Sequence, residues 1–395
     1  MSEDCLNLNV TAPADAHNLP VMVWFHGGAF TILTSNSRGY NNVDALTSKG
    51  VVLVTVNHRL GPFGYLAHPL LVADSTYGGS GNYGQMDLVL ALKWVKNNIA
   101  KFGGNPDSVT IFGQSGGGGK VASLMNSPMA GGLFQKAACQ SGSQTIVPTA
   151  VEAAIAGAED VGKAMFSRLK LTSVADARKL PWTAIVQSDI DAAVPREVYR
   201  PTIDNFYISK TYYDTIKDGQ PGDVPLLIGS TSGDYPRLQT GLIDVMALRS
   251  AHSKAPIYVY KYSRVPAGWA STGLRSGHGG ELPYLFNYPP MYANNYLFDL
   301  VLDATGKRPE VPDLNGDGVT GTAGDAADVL TSMGWSDEDR WFSEQLMTVW
   351  TNFAKTSSPS TPALVWPAYT PRSDQYVEFG PATIDVKTGL AKAFP

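Results

Sequence analysis

Apolar residues in the first part of the chain come in short unbroken runs. Leu19 to Phe25 (LPVMVWF) and Val51 to Val56 (VVLVTV) show no alternation, as expected of interior strands covered on both faces. The first run ends at His26-Gly27-Gly28-Ala29-Phe30, the second at Asn57-His58-Arg59. From Tyr83 to Phe102 the period changes: Met86, Val89, Leu90, Trp94, Val95 and Ile99 recur at helical spacing, and Gly103-Gly104-Asn105-Pro106 stops the helix. A strand over Val109–Phe112 and a helix-like segment over Val121–Met125 follow. Lys136–Gln140, Val224–Ile228 and Ile257–Tyr260 read as later strands, and Cys5–Val10 as an early one. Strands alternating with helices predict an α/β fold with a doubly wound, mostly parallel central sheet and helices on both faces. No repeat or long linker divides the chain, so residues 1–395 are expected to form one domain. Residues 287–334, rich in Gly, Pro, Asn and Asp, are expected to leave it as a surface excursion.

Composition narrows this only a little. The chain has 395 residues, 44% hydrophobic and 16% charged, which is ordinary for a protein that builds a core. A net charge of −5 argues against nucleic acid or an anionic membrane surface as partner. No stretch reaches the roughly 18 apolar residues of a membrane span. Met1-Ser2-Glu3-Asp4 is acidic with no apolar run behind it, so no signal peptide is expected in the chain as it stands. Cys5 and Cys139 are the only cysteines and make no disulfide framework. Localisation and oligomeric state stay open.

The chemistry gathers at Gly113-Gln114-Ser115-Gly116-Gly117, a Gly-x-Ser-x-Gly between a strand and a helix. A serine on so sharp a turn is strained and exposed, and the glycines let neighbouring chain pass close by. Such a nucleophile needs a base, an acid that orients the base, and donors for an oxyanion. Acid and histidine follow the serine in that order on this kind of elbow. Of six histidines, only His252 and His278 lie far enough along. His252 sits in a helix-like stretch and reads as a surface residue. His278, in the loop Ser276-Gly277-His278-Gly279-Gly280, is the preferred base. Asp234, just after the Val224–Ile228 strand, is the preferred acid, because Asp223 precedes that strand. Glu281 is the alternative carboxylate, expected to face the start of a following helix. Backbone N–H groups of Gly27-Gly28-Ala29 can turn inward, and that of Gly116 can join them.

Three other features carry no chemistry in this reading. His26 has no partner at metal-ligand spacing and reads as structural. Asp313-Leu314-Asn315-Gly316-Asp317-Gly318 matches half of a calcium loop, but Gly324 stands at the twelfth position and Asp325 comes one residue late, so a polar turn is expected. Asn9-Val10-Thr11 is a glycosylation triplet lying on a strand.

These residues resemble the type B carboxylesterases, which include cholinesterases and bacterial p-nitrobenzyl esterases. The likeness is carried by SEDCLNLNV at 2–10, HGGAF at 26–30, NHRLGPFGYL at 57–66 and the long stretch from Gly81 to Gly117. QSGS at 140–143, HGGELPYLF at 278–286 and WTNFAK at 350–355 extend it. The resemblance implies an α/β-hydrolase fold and hydrolysis of small-molecule carboxylic esters without a cofactor. It also implies Ser115 as nucleophile, His278 as base, Gly28, Ala29 and Gly116 as oxyanion donors, and Asp234 where the family normally has glutamate.

Against the family pattern, the chain starts inside the SEDCL motif, as if truncated, without the upstream cysteine that usually pairs with Cys5. The segment between Asp234 and His278 is short, which implies a reduced helical cap and an open site. Gln114 replaces a usual glutamate, Lys120 a usual small residue, and the run Gly116–Gly119 is expected to weaken its helix. The resulting expectation is a serine ester hydrolase. The alternatives are a catalytically silent binding or adhesion relative and an inactive truncated member; the presence of both Ser115 and His278 on suitable turns favours the enzyme.

Overall fold

Strands that are apolar on both faces require cover on both, and the computed structural model of the chain supplies it. It describes all residues except Met1, Arg38, Asn41, Val43, 143–150, 273–274, 294–333 and Pro395. Nine strands form one sheet: β1 (Leu8–Thr11), β2 (Leu19–Phe25), β3 (Val52–Val56), β4 (Gly104–Gln114), β5 (Lys136–Gln140), β6 (Leu226–Thr231), β7 (Ile257–Tyr262), β8 (Gln375–Phe379) and β9 (Ile384–Thr388). Their order is β1-β3-β2-β4-β5-β6-β7-β8-β9. The run from β3 to β8 is parallel, while β1 and β9 pair antiparallel at the two edges. The order of β3, β2 and β4 reverses direction across the sheet, so loops at the carboxyl ends of the central strands open onto a shared crevice.

Period-two alternation divides the side chains of each strand between two cores. Val21, Val23 and Phe25 of β2, with Val109 and Ile111 of β4, join one core. It is covered by helices α1 (Tyr83–Asn98), α2 (Gly116–Asn126) and α3 (Pro236–His252), through residues such as Leu88, Leu124 and Leu242. Met22, Trp24 and Phe112 face the other way, against Leu285 of the short helix α4 (Leu282–Leu285) and Phe342, Leu346 and Trp350 of α5 (Asp337–Thr356). Mutual capping by Ser336 and Asp339 starts α5. Helix α1 runs on into a 3₁₀ turn and ends at Gly103, whose φ of 78° only glycine adopts readily; a Cβ there would lie 2.3 Å from the carbonyl oxygen of Ala16.

Boundaries differ from the sequence expectation in a few places. Strand β1 begins at Leu8 rather than Cys5, and β6 runs over Leu226–Thr231 rather than Val224–Ile228. Strand β4 begins at Gly104, so all the helix-stopping residues except Gly103 already belong to the next strand. Cys5 and Cys139 are both free thiols. Most of the expected excursion, and all of Asp313–Asp325, lies outside the described residues. Among the described residues, no helix is long and apolar enough to cross a membrane.

Candidate active site

The turn from β4 into α2 is as sharp as the glycines suggest. Ser115 sits between them at φ 58°, ψ −126°, a region that costs a non-glycine residue strain and persists only when surroundings enforce it. Two hydrogen bonds enforce it here. The Ser115 N–H donates to the Gln140 carbonyl at 2.8 Å, and the Ser115 carbonyl accepts from the Gly119 N–H at 3.0 Å. Close backbone approach does the rest. A Cβ on Gly116 would lie 2.0 Å from the carbonyl oxygen of Ala29, and one on Gly117 2.0 Å from that of Phe25. The glycine run is therefore a packing requirement of the elbow, and α2 forms in full over Gly116–Asn126.

Strands β6 and β7 deliver the next two side chains. The loops that follow them are tied together by the Gly233 N–H, which donates to the Ser276 carbonyl at 2.7 Å, and by a parallel bridge between Gly233 and Gly277. That tie brings His278 Nδ1 to 2.7 Å from Asp234 Oδ1. Asp234 also accepts from the Tyr235 N–H at 2.9 Å and, through Oδ2, from the Ser230 hydroxyl. Burial works against a charge on Asp234. The His278 ring and the hydrogen bonds from His278 and Ser230 nevertheless hold its carboxyl below the usual carboxylate range. With Nδ1–H donating to that carboxylate, a neutral His278 ring presents Nε2 as an acceptor.

The alternatives fall elsewhere. His252 ends α3 as an exposed residue. Asp223 caps structure at the opposite end of β6, accepting from the Lys254 N–H at 2.9 Å and the Ser253 hydroxyl. Glu281 does not serve the start of α4: it precedes that helix but makes no side-chain cap. It is fully buried instead and accepts a hydrogen bond from Gln140 Nε2 at 3.2 Å. Burial raises its pKa to about 7; hydrogen bonds from its own backbone N–H and Gln140 oppose the rise, and the charge of Asp234 adds to it more weakly. Gln140 in turn accepts from Trp350 Nε1 at 3.3 Å, so α5 is connected to this carboxyl through one amide.

The turn after β2 closes the site. Gly28 and Ala29 have φ of 78° and 51°, and the Gly28 carbonyl accepts from the Ile32 N–H at 3.1 Å. A Cβ on Gly27 would lie 3.4 Å from the Ser115 Cβ, so this turn lies directly against the elbow. The Ala29 backbone touches Gly116, so two segments distant in sequence meet here. His26 is buried with Nδ1 2.9 Å from the Gly27 carbonyl; burial and the charge of Lys120 push its pKa well down. Lys120, noted in the sequence only as a departure, donates from Nζ to the His26 carbonyl at 2.8 Å. No residue type at position 26 predicts that contact, because its partner is 94 residues away. Among the described residues, no group of three or more His, Cys, Asp or Glu side chains could hold a metal ion.

A model of the carboxylesterase family matches residues 1–240 and 327–394. The chain is similar to the para-nitrobenzyl esterase of Bacillus subtilis (strain 168), with 30% identity over 93% of this chain and 77% of that protein. It is also similar to the bile salt-activated lipase of Bos taurus, with 30% identity over 95% of this chain and 71% of the other. Among solved structures, a PNB esterase superposes with a TM-score of 0.73 at 26% identity, covering 98% of this chain and 83% of its own. A Geobacillus stearothermophilus carboxylesterase does so at 0.75 and 25%, covering 100% and 86%. The sheet order, the helices on both faces and these neighbours together describe an α/β-hydrolase fold.

Proposed function

Because the chain belongs to the carboxylesterase family and is a carboxylic ester hydrolase, we propose that it works through an acyl-enzyme on Ser115, with His278 and Asp234 completing a triad. The observation that carries this reading is the 2.7 Å contact between His278 Nδ1 and Asp234 Oδ1. It fixes the ring with Nε2 free to take a proton from the Ser115 hydroxyl. As Ser115 Oγ bonds to the ester carbonyl carbon, negative charge moves to the carbonyl oxygen. The N–H groups of Gly28, Ala29 and Gly116 are the donors assigned to that oxyanion; fixed donors of this kind stabilise developing charge without reorganising. His278 returns the proton to the alcohol oxygen as the C–O bond breaks. Water then repeats the sequence, attacking the acyl-enzyme with His278 as base and leaving the acid and free Ser115. No cofactor enters any step. The substrate is a small-molecule ester, and residues 1–395 act as one hydrolase unit.

The test is covalent. A fluorophosphonate should add its mass to the peptide containing Ser115, abolish turnover of p-nitrophenyl esters, and do neither in Ser115→Ala. Persistent labelling or undiminished turnover in that variant would reject the assignment. A wild-type chain inert to both the reagent and the esters would point to the silent binding relative instead.

A further inference from the structure

Lys120 lies one turn into α2 with its side chain fully buried. Its Nζ donates to the carbonyl of His26 at 2.8 Å and stands 5.5 Å from the centre of the Phe30 ring. The amine thus touches both ends of the segment His26–Phe30, and Gly28 and Ala29 lie between those ends. Among the described residues, no carboxylate forms an ion pair with this amine. The rings of His26 and His58 are 4.9 Å apart, and burial first, then the charge of Lys120, push both well below the usual imidazole range. His26 Nε2 and both ring nitrogens of His58 have no hydrogen-bond partner among the described residues. Burial lowers the Lys120 pKa to about 7. A basic group held this way is costly, and an apolar side chain of similar volume would be easier to bury. Stability therefore does not explain the lysine.

We propose that Lys120 is a positioning residue for the oxyanion donors: its amine, bonded to the His26 carbonyl and seated on the Phe30 ring, holds the His26–Phe30 turn in register with the start of α2. The inference rests on the serine esterase reading above and deepens it. The donors come from two segments far apart in sequence, Gly28 and Ala29 after β2 and Gly116 at the head of α2. Lys120 follows Gly116 by four residues on that helix, so its side chain ties one set of donors to the element that carries the other. Donor placement matters because the oxyanion forms only once the carbonyl is attacked, in the tetrahedral intermediate and the transition states flanking it, and small misplacements there are expensive in rate. Lys120 touches no reacting atom; it acts through the carbonyl of His26.

Lys120→Met keeps the apolar stem of the side chain and removes its donor and charge. The expected result is a melting temperature equal to or above that of wild type. kcat for p-nitrophenyl butyrate should fall at least about tenfold, towards the hundredfold that loss of one oxyanion donor brings. KM should hold. Affinity for a trifluoromethyl ketone, which mimics the tetrahedral adduct, should fall by the same factor as kcat/KM. A purely structural role would lower the melting temperature and leave ketone affinity of the folded fraction unchanged, and that result overturns the proposal. So do kcat and ketone affinity both within about threefold of wild type. If Lys120→Met does not fold, Lys120→Gln carries the same measurements, since its shorter polar side chain fills the site without full reach. Ser115→Ala assayed alongside separates the two readings. Turnover surviving in Ser115→Ala would sink the serine mechanism, whereas an inert Ser115→Ala beside a fully active Lys120→Met sinks only the role of Lys120.

Discussion

Asp234 and Glu281 show how two buried carboxyls within one site can take opposite states. Asp234 receives His278, Ser230 and a backbone N–H, and its acidity is strengthened despite burial. Glu281 has only its own backbone N–H and the Gln140 amide beside it, with Oε2 lacking a hydrogen-bond partner among the described residues, and burial prevails, raising it to about 7. Only the first is equipped to hold an imidazole tautomer and to stabilise an imidazolium. Asp234→Asn should therefore fold normally while allowing the wrong tautomer of His278, and comparable changes lower kcat by about ten-thousandfold near neutral pH. Glu281→Gln keeps shape and one acceptor and should cost far less. The pair is read by kcat at pH 7 on the same ester. If Asp234→Asn stays near wild type while Glu281→Gln collapses, the acid is misassigned; if neither matters, Ser115 and His278 act as a dyad. Sequence position alone favoured Asp234 over Asp223 because strand polarity decides which end of β6 a residue occupies. It misjudged Glu281, because the burial of a side chain beside a four-residue helix depends on β5 and α5, which are remote in the chain.

At the scale of elements, the elbow reverses a rule of helix propensity. Glycine disfavours helix relative to alanine by up to about 1 kcal/mol, which is why Gly116–Gly119 reads as a weakness in the sequence. In the fold, the first turn of α2 passes so close to β2 that a Cβ at Gly117 would stand 2.0 Å from the Phe25 carbonyl oxygen, a backbone atom unable to move aside alone. Gly117→Ala should consequently destabilise the protein, by about 1–3 kcal/mol as overpacking does. Gly157, in the helix Val151–Arg168, meets nothing within 4 Å, and Gly157→Ala should be neutral or stabilising. Urea midpoints of the two variants decide the matter, and equal midpoints would remove the packing account. The interior strands were legible for the same reason that the elbow is tight: unbroken apolar runs such as Val21–Phe25 belong only where helices cover both faces. Strands β8 and β9 were not read, since Gln375–Phe379 and Ile384–Thr388 are short, mix polar with apolar residues, and owe their existence to the edge at β7. The grip of Lys120 on His26 was illegible because nothing local marks it.

Across the whole molecule, Lys120 and Glu281 are two fully buried groups brought to pKa values of about 7 from opposite directions, and their effects on stability run oppositely with pH. Glu281 rises from 4.5, so the folded state holds its proton more tightly than the unfolded chain does. Its penalty is absent below about pH 4.5, grows as pH rises, and is complete above about 7, where it amounts to about 3 kcal/mol. Lys120 falls from 10.5, so the folded state resists the proton. Its penalty is complete below about pH 7 and fades as pH climbs towards 10.5. Glu281→Gln should thus gain stability over wild type that is small at pH 5 and full at pH 8. Lys120→Met should gain stability that is full at pH 6 and nearly gone at pH 10. Urea unfolding of both variants and of wild type at these pH values measures the differences directly. The side chains occupy separate parts of the site, Glu281 bonded to Gln140 and Lys120 to His26. The two gains should accordingly add in the double variant, whose stability would vary less with pH than that of wild type. A gain from Glu281→Gln that does not grow with pH would mean the carboxyl is solvated or paired in solution. A gain from Lys120→Met that persists at pH 10 would mean that packing, rather than a buried proton, sets the cost of the lysine.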